Sequence, residues 1–287
     1  MAIASLAALG LGCQGKPAGA KQDASEQASS SAMGTERPLK VAAAADLARA
    51  FEEVGKGYEG KTGKKVVFSF GSSGLLAKQI AQGAPFDVFA SANQSFADEA
   101  IKSGACFEEG QALYARGRLV VWTKKGKNDK GEKNDGAGAP QSLADLKDPR
   151  FAKVAIANPE HAPYGRAAKE ALTAVGAWDA VSKKVVYGEN IQQTFQFVQS
   201  GNAEAAVVAL SLAIATDEGD YVLVDPKLHA PLDQKIVVCK GGSQEDGAPR
   251  KHARAFAAYV NSEEGRAIMR RFGFLLPGES LTPPPGH

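Results

Sequence analysis

Residues 39–90 read LKVAAAADLARAFEEVGKGYEGKTGKKVVFSFGSSGLLAKQIAQGAPFDVFA and decide the fold. Short apolar runs at 39–44, 65–70 and 86–90 alternate with segments whose apolar residues recur at helical spacing. This alternation predicts a βαβαβ unit, in which the strands pair in parallel through right-handed crossovers.

A second α/β unit follows the first along the chain. The apolar pattern predicts strands at 153–157, 184–187 and 205–210, with helices at 166–175 and 191–199. The fold class is therefore α/β, with enough chain for two hydrophobic cores.

Three further features flank this second unit. A strand at 118–123 precedes it and leads into a polar loop at 124–140, whose lysines are interleaved with acidic residues. We predict that this loop is solvated and is not a basic binding patch. A strand at 235–239 and helices around 252–260 and 262–272 follow, so the second unit is inserted before the closing helices.

The composition excludes several classes of protein. Among 287 residues, 44% are hydrophobic and 23% are charged, which is ordinary for a globular chain. The net charge of +2 gives no basic footprint for nucleic acid. No apolar run approaches the ~18 residues of a membrane-spanning helix. The three Cys and four His show no metal-ligand spacing, so we expect no metal cation site.

The amino terminus is typical of a bacterial lipoprotein signal. Residues 1–12 read MAIASLAALGLG and are followed at once by Cys13. In such signals the chain is cut before the Cys and lipid is attached to its sulfur. The usual basic residues are missing, so a frayed apolar terminus around an unmodified Cys13 is the alternative.

Residues 14–38 contain almost no large apolar side chain, so we predict a disordered tether. A flexible chain of 25 residues spans ~25–30 Å root-mean-square. That length suits a lipid-anchored domain held away from a membrane.

Four loops follow predicted strands and open predicted helices, and they contain Ala44-Ala45-Asp46, Ser72-Ser73-Gly74, Pro163-Tyr164-Gly165 and Glu189-Asn190-Ile191. Ligands of open α/β sheets bind at this edge. Helix amino termini present unpaired N–H groups and partial positive charge, so several together predict an anion site without Lys or Arg. The alternative is that Asp46, Ser73 and Asn190 only cap their helices.

The same segments resemble the molybdate-binding proteins of bacterial ABC transporters, a branch of the type II periplasmic binding proteins. The resemblance rests on VAAAADL (41–47), SFGSSGLLAKQIAQGAPFDVFASAN (69–93), ANPEHAPYGRAAKEAL (157–172), GAWD (176–179), GENIQQ (188–193) and FGF (272–274). It runs in the same order from about residue 39 to residue 276.

The resemblance implies two lobes joined by two crossing strands, each lobe a mostly parallel sheet flanked by helices, with an oxyanion held in the cleft. It places lobe I at 39–118 and 236–287 and lobe II at 119–235.

Position by position, the resemblance also places six residues at the ligand, namely Ala45, Asp46, Ser72, Ser73, Tyr164 and Ile191. Ser73 is expected to donate through its hydroxyl and N–H, and Ala45, Asp46 and Ile191 through backbone N–H. Many relatives have a Tyr where this chain has Ala209. We expect the Tyr164 hydroxyl to supply that donor instead.

The function implied is a monomeric receptor, lipid-anchored through Cys13 in the periplasm or cell envelope. It would capture molybdate, and also tungstate, without a cofactor, and deliver it to an ABC permease and through it to the transport ATPase. Neutral N–H and O–H donors suit a fully ionised dianion and reject protonated phosphate, whose own O–H would find no acceptor. The alternative within this fold is sulfate, phosphate, phosphonate or an organic anion.

An enzyme and a pure interaction module are the other classes considered. Neither G-x-S-x-G nor S-x-x-K is present around Ser73, a Walker A motif is absent, and His161 has no nucleophile and acid beside it in sequence. We therefore expect no enzyme, and the anion-site loops argue against an interaction module.

Cys106 and Cys239 lie far apart in sequence, and no pattern brings them together. We expect them to be unpaired, and the alternative is a disulfide in an oxidising envelope.

Overall fold

The structure is a computed structural model that describes residues 37–127, 133–134, 140–241 and 248–279. The predicted signal at 1–13, with Cys13, lies outside these residues. So does the predicted tether at 14–38, except for its last two residues.

Within the described residues the chain forms twelve strands and nine α-helices. The strands are β1 (Leu39–Ala44), β2 (Val66–Gly71), β3 (Val88–Ser91), β4 (Ala112–Arg116), β5 (Leu119–Lys124), β6 (Gly126–Lys127), β7 (Lys133–Asn134), β8 (Val154–Ala157), β9 (Val185–Gly188), β10 (Ala205–Ala209), β11 (Gly219–Leu223) and β12 (Asp233–Val238). The helices are α1 (Ala48–Thr62), α2 (Ser73–Ala81), α3 (Gln94–Lys102), α4 (Pro163–Ala174), α5 (Trp178–Val181), α6 (Ile191–Gln199), α7 (Leu210–Ala213), α8 (Ala248–Val260) and α9 (Glu263–Arg271). A 3-10 turn at Ala45–Leu47 links β1 to α1.

Ten of these strands form two sheets with the same topology. The first sheet has the order β2-β1-β3-β12-β4, and the second has the order β9-β8-β10-β5-β11. In each sheet the first three strands pair in parallel, and the fourth is antiparallel to both of its neighbours. Four of the five strands therefore run the same way, which confirms the mostly parallel sheets.

The antiparallel strand of each sheet is the one that the chain enters directly after leaving the other sheet. The chain crosses from β4 to β5 through Gly117 and Arg118, and it returns from β11 to β12. Helix α8 contacts β1 and β12, and α9 contacts α1, so both closing helices lie on the first sheet. The lobe boundaries at 118/119 and 235/236 stay a prediction.

The first βαβαβ unit is confirmed, because β1 pairs in parallel with β2 on one side and β3 on the other. Phe51, Val54 and Tyr58 form part of the buried face of α1, as their helical spacing predicts. The helix ends at Gly63, whose φ of 68° lies in the left-handed region that glycine adopts without strain.

Outside the loop at 124–140, five elements of the structure are not predicted by the apolar pattern, namely β4, α3, β11 and the four-residue helices α5 and α7. Both strands lie at sheet edges, where each has partly exposed positions and so lacks a continuous apolar run. Helix α3 has only nine residues, but its start carries a signal, since Asn93 accepts the N–H of Phe96 at 3.3 Å. The predicted loop at 124–140 contains the short antiparallel pair of β6 and β7, and the rest of it is largely outside the described residues.

Arg37, near the predicted end of the tether, is held by an ion pair. Its guanidinium donates to both carboxylate oxygens of the buried Asp87, at 2.8 and 2.6 Å. Asp87 also accepts the N–H of Lys40 at 2.9 Å. A bidentate pair of this kind fixes the entry of the chain into β1.

Cys106 and Cys239 form a disulfide, so the expectation of two unpaired thiols is wrong. Cys239 directly follows β12, and the backbone of Cys106 pairs with it in an isolated antiparallel bridge. The two residues are 133 positions apart in sequence and meet only because the chain returns from the second sheet to the first. Separation along the chain is therefore no guide to pairing in this topology.

Replacing both Cys106 and Cys239 by Ala should lower the free energy of unfolding by about 2–4 kcal/mol, because the disulfide closes a long loop in the unfolded chain. Urea unfolding followed by circular dichroism measures the difference. Reductant should move the wild-type curve towards that of the double variant and leave the variant unchanged. Identical curves without reductant would contradict the assignment.

Candidate functional site

One small cavity lies between the two sheets, and all six residues predicted to bind the anion line it. They are Ala45, Asp46, Ser72, Ser73, Tyr164 and Ile191, and the wall is completed by Ala44, Gly71, Ala92, Ala162 and Pro163. The space that these residues enclose is about 10 Å³, close to what a single water molecule needs, so the site is small and nearly closed.

The predicted residues lie where strands end and helical segments begin. The turn Ala45–Leu47 follows β1, α2 begins at Ser73 after β2, and α6 begins at Ile191 after β9. Tyr164 is the second residue of α4, which follows β8. The first N–H groups of a helix have no partner within it and carry partial positive charge. The cavity therefore faces donors from both lobes, and of the described residues that line it none is Lys, Arg or His.

The interpretation of three polar residues as simple helix caps holds only for Asn190. Its side chain accepts the second and third N–H groups of α6, each at 3.0 Å. Ser73 lies inside α2, and the N-cap residue of that helix, Ser72, makes no side-chain cap bond. Asp46 lies inside the turn after β1, which also has no side-chain cap bond.

Ser73 and Ser72 have different hydrogen-bond partners. The buried Ser73 Oγ accepts the N–H of Ala92 at 3.0 Å, which leaves its hydroxyl proton for a ligand. Ser72 Oγ lies 2.8 Å from Nδ1 of His161, a residue of the second lobe. Ser73 is therefore the serine suited to donate into the cavity, while Ser72 joins the lobes.

Tyr164 directs its hydroxyl at Asp46. The O–H donates to Asp46 Oδ2 at 3.0 Å, and Gln234 Nε2 donates to the same oxygen at 2.6 Å. The expectation that this hydroxyl replaces the donor missing at Ala209 therefore disagrees with the structure, because the O–H already donates its hydrogen bond to Asp46 Oδ2. Tyr164 keeps its predicted place, because it lines the cavity as the second residue of α4.

The carboxyl group of Asp46 is the feature least expected in an anion site. Asp46 is 1% exposed, and its Oδ1 has no hydrogen-bond partner within the described residues. Loss of solvent raises the pKa of Asp46 from 3.8 to about 6, although the bonds from Gln234, Tyr164 and its own backbone N–H act in the opposite direction. The sequence prediction assigned Asp46 only a backbone role.

Gln234 and Tyr114 extend the hydrogen-bond network behind Asp46, and the sequence pattern did not predict either of them. The Tyr114 hydroxyl donates to Gln234 Oε1 at 2.7 Å, and both side chains are fully buried. Burial, and secondly the charge of Asp46, raise the pKa of Tyr114 well above its ordinary value. The available signal was a Gln two residues before the apolar run of β12, where only a bonded amide would be buried.

Several contacts hold the two lobes against each other around the cavity. The Gly74 N–H donates to the carbonyl oxygen of His161 at 2.9 Å, and Ser211 Oγ donates to the carbonyl oxygen of Asp46 at 2.7 Å. A Cβ at Gly74 would stand 2.8 Å from both the His161 oxygen and Cζ of Phe96, so the close approach requires glycine. Ala209 ends β10 and does not line the cavity.

Two other kinds of site are not found in the part of the chain that the structure describes. No group of three or more His, Cys, Asp or Glu side chains there could hold a metal ion. None of the described helices is both long and apolar enough to cross a bilayer.

A family model for bacterial extracellular solute-binding proteins matches residues 39–275. The chain belongs to this family. Among curated relatives of this solute-binding protein, the molybdate-binding protein of Rhodobacter capsulatus is 35% identical over 235 residues, covering 82% of this chain and 87% of the relative. A putative ABC transporter substrate-binding lipoprotein of Bacillus subtilis is 30% identical over 239 residues, covering 82% and 85%.

A solved structure supports the same placement of this solute-binding protein. The periplasmic molybdate-binding protein of Azotobacter vinelandii superposes with a TM-score of 0.71 at 29% identity, covering 83% of this chain and 99% of the other. This match confirms the two-lobed architecture.

Asp46→Asn should change how the stability of this solute-binding protein depends on pH. Because burial raises the Asp46 pKa from 3.8 to about 6, the folded state binds more protons than the unfolded state between these values. The contribution of Asp46 to stability therefore falls by about 2 kcal/mol as pH rises from about 4.5 to about 7, where the carboxyl group becomes ionised in both states. The variant lacks this loss, so its stability relative to wild type should rise by that amount.

Urea unfolding at about pH 4.5 and about pH 7 measures this difference. Asp98→Asn is the matched control, because Asp98 pairs with Lys235 and does not line the cavity. A stability difference between Asp46→Asn and wild type that stays constant with pH would show that the Asp46 pKa is not raised.

Proposed function

We propose that this protein captures molybdate, and also tungstate, in the cavity between its lobes and delivers it to an ABC permease. The observation that carries the proposal is the convergence of three helix amino termini and the Ser73 hydroxyl on one small cavity, whose described lining contains no Lys or Arg. Relatives that are 35% and 29% identical are named as molybdate-binding proteins, and they cover most of the chain.

The proposed chemistry is recognition by neutral donors already in place. A dianion that enters the cavity exchanges water for N–H groups at the starts of α2, α4 and α6 and for the Ser73 O–H. Hydrogen bonds to a charged group are about twice as strong as neutral ones, and in a dry cavity they are strengthened further. The size of the closed cavity selects molybdate and tungstate over the smaller sulfate.

The proposed partner is an ABC permease with its ATPase, and the proposed location is the periplasm or cell envelope. The Azotobacter relative is named periplasmic, and the Bacillus relative is named a substrate-binding lipoprotein of an ABC transporter. We propose that Cys13 carries a lipid anchor and that residues 14–36 tether the lobes to it. We further propose that the receptor acts as a monomer.

We propose binding without catalysis. Ser72 and His161 do form a Ser–His pair, and a hydrolytic site would need a third group to orient the ring. Within the described residues no carboxylate bonds to the His161 ring. The ring nitrogen that contacts Ser72 serves a contact between lobes.

Isothermal titration with molybdate, tungstate, sulfate and phosphate tests the ligand. We expect molybdate and tungstate to bind with similar affinity, and both to bind more tightly than sulfate or phosphate. Tighter binding of sulfate or phosphate would contradict the proposal and support the alternative oxyanion, and no binding of any of the four would contradict both.

Ser73→Ala should weaken molybdate binding by about 1.5–3 kcal/mol, the range for a hydrogen bond to a charged group. The same titration measures it, and thermal unfolding checks that the variant is folded. Ser95→Ala is the control, because Ser95 is exposed and its hydroxyl contacts the Asn93 side chain. Equal affinities of Ser73→Ala and wild type would remove Ser73 from the site.

Cys13→Ser should convert a membrane-associated protein into one that stays in the aqueous phase. The reason is that lipid attachment requires the thiol, and the described lobes contain no membrane-spanning helix. Detergent phase partitioning of both forms after expression in a bacterial host measures the change. Identical partitioning would refute the lipid anchor.

A further inference from the structure

The proposed anion cavity contains a carboxyl group, and this creates an electrostatic conflict. Asp46 lines the cavity and is 1% exposed. An ionised carboxylate beside a dianion in a dry site repels it strongly, since like charges at short range disfavour the charged form of the titratable group. A cavity of this kind binds a dianion well only if Asp46 is neutral.

The hydrogen bonds of Asp46 leave one oxygen for a proton. Oδ2 accepts from both the Tyr164 hydroxyl and Gln234 Nε2, at 3.0 and 2.6 Å. Oδ1 is buried and has no partner among the described residues. A carboxylic acid at this position would therefore keep Oδ2 as its acceptor and carry its O–H on Oδ1, which is not committed to the network.

Among the described residues around Asp46, none is a basic group that would hold its carboxyl group ionised. Tyr114 and Tyr164 are the titratable side chains that interact with it, and burial raises both of their pKa values well above the ordinary range. The elements packed against the turn Ala45–Leu47 include α1, α6, α7 and β2. The sequences of α6, α7 and β2 contain no ionisable residue, and the charged residues of α1 lie on its exposed or half-exposed face.

The remaining charged groups near the network have partners of their own. On β12, Asp233 pairs with Arg116 and Lys235 pairs with Asp98. His161 bonds to Ser72 at the edge of the cavity, and it contributes nothing to the hydrogen bonds of Asp46.

We propose that Asp46 is a neutral carboxylic acid when the oxyanion is bound and that it donates its Oδ1–H to one oxygen of the anion. The inference rests on the proposed function, because it takes a molybdate dianion as the ligand. The proton comes from solvent, so the ionised protein, one proton and one molybdate dianion combine to form the complex. In the unliganded protein burial already raises the pKa of Asp46 to about 6, and the ligand raises it further.

The selectivity between molybdate and phosphate then depends on whether Asp46 or the anion supplies the proton of the hydrogen bond between them. Molybdate carries none near neutral pH, so Asp46 must take one up. Hydrogen phosphate carries its own proton and can donate it to ionised Asp46 without uptake from solvent. The earlier expectation, that a protonated anion finds no acceptor in this site, therefore holds only while Asp46 is protonated.

Calorimetric titration of the wild-type protein with molybdate, in Tris and in HEPES at equal pH, measures proton uptake directly. At about pH 7.5 we expect uptake approaching one proton per molybdate, because Asp46 is then mostly ionised before binding. The affinity should fall about tenfold per pH unit between about pH 7 and about pH 9. Binding without proton uptake would overturn the inference and leave the proposed function intact. No molybdate binding would instead overturn the proposed function.

The variant Asp46→Asn tests whether the proton taken up on molybdate binding is bound by Asp46. The amide keeps an acceptor for Tyr164 and Gln234 and presents an N–H donor where the acid would present Oδ1–H. We expect molybdate affinity that no longer depends on pH, with no proton uptake, while Asp98→Asn behaves as wild type. Proton uptake that persists in Asp46→Asn would assign it to another group and overturn the inference.

A spectroscopic readout covers the case in which the variant folds poorly. Infrared difference spectra of the wild-type protein with and without molybdate should gain the C=O stretch of a protonated carboxyl group, shifted in D₂O. The absence of that band at saturating molybdate would overturn the inference whatever the variant shows.

Discussion

The hydrogen bond from the Tyr164 hydroxyl to Asp46 Oδ2 joins the two lobes at the cavity, and the rest of the site is arranged around it. It connects the end of β1 in the first sheet with the start of α4 over the second sheet. Gly117, where the chain crosses between the sheets, has no room for a Cβ because the Tyr164 hydroxyl occupies that place. The crossing, the aromatic ring and the carboxyl group are therefore fixed together.

This contact also explains why the site needs a polar network behind it. A carboxyl group buried in an apolar wall is costly unless its oxygens are bonded. Gln234 meets part of that need, and Tyr114 in turn holds the other end of the Gln234 amide. Tyr164 and Gln234 both bond Oδ2 and leave Oδ1 unpaired among the described residues, so the same bonds that stabilise Asp46 decide which oxygen is left for a ligand.

The sequence predicted most of the fold and the outline of the site, because both depend on local patterns. In residues 39–90 the spacing of apolar residues distinguishes the strands from the helices. The loops around Ser73, Tyr164 and Ile191 each follow the end of a predicted strand. The parts that it could not predict depend on distant residues meeting. Gln234 reaches Asp46 from 188 positions away, and Cys239 reaches Cys106 from 133. The local spacing of apolar residues cannot predict such contacts, since they follow from the return of β12 to the first sheet.

The role of Asp46 shows why a donor count from sequence is insufficient for an anion site. Backbone N–H groups donate whatever side chain they carry, so their contribution can be inferred from the position of a helix start. A carboxyl group is a donor or an acceptor according to its protonation, which depends on burial and on the charge of the ligand itself. By linkage, the free energy by which a bound dianion raises the Asp46 pKa equals the free energy by which protonation of Asp46 tightens binding. A titration of molybdate affinity against pH and a measurement of the Asp46 pKa with and without ligand therefore report the same coupling free energy. That free energy is set by the dry contact between the lobes.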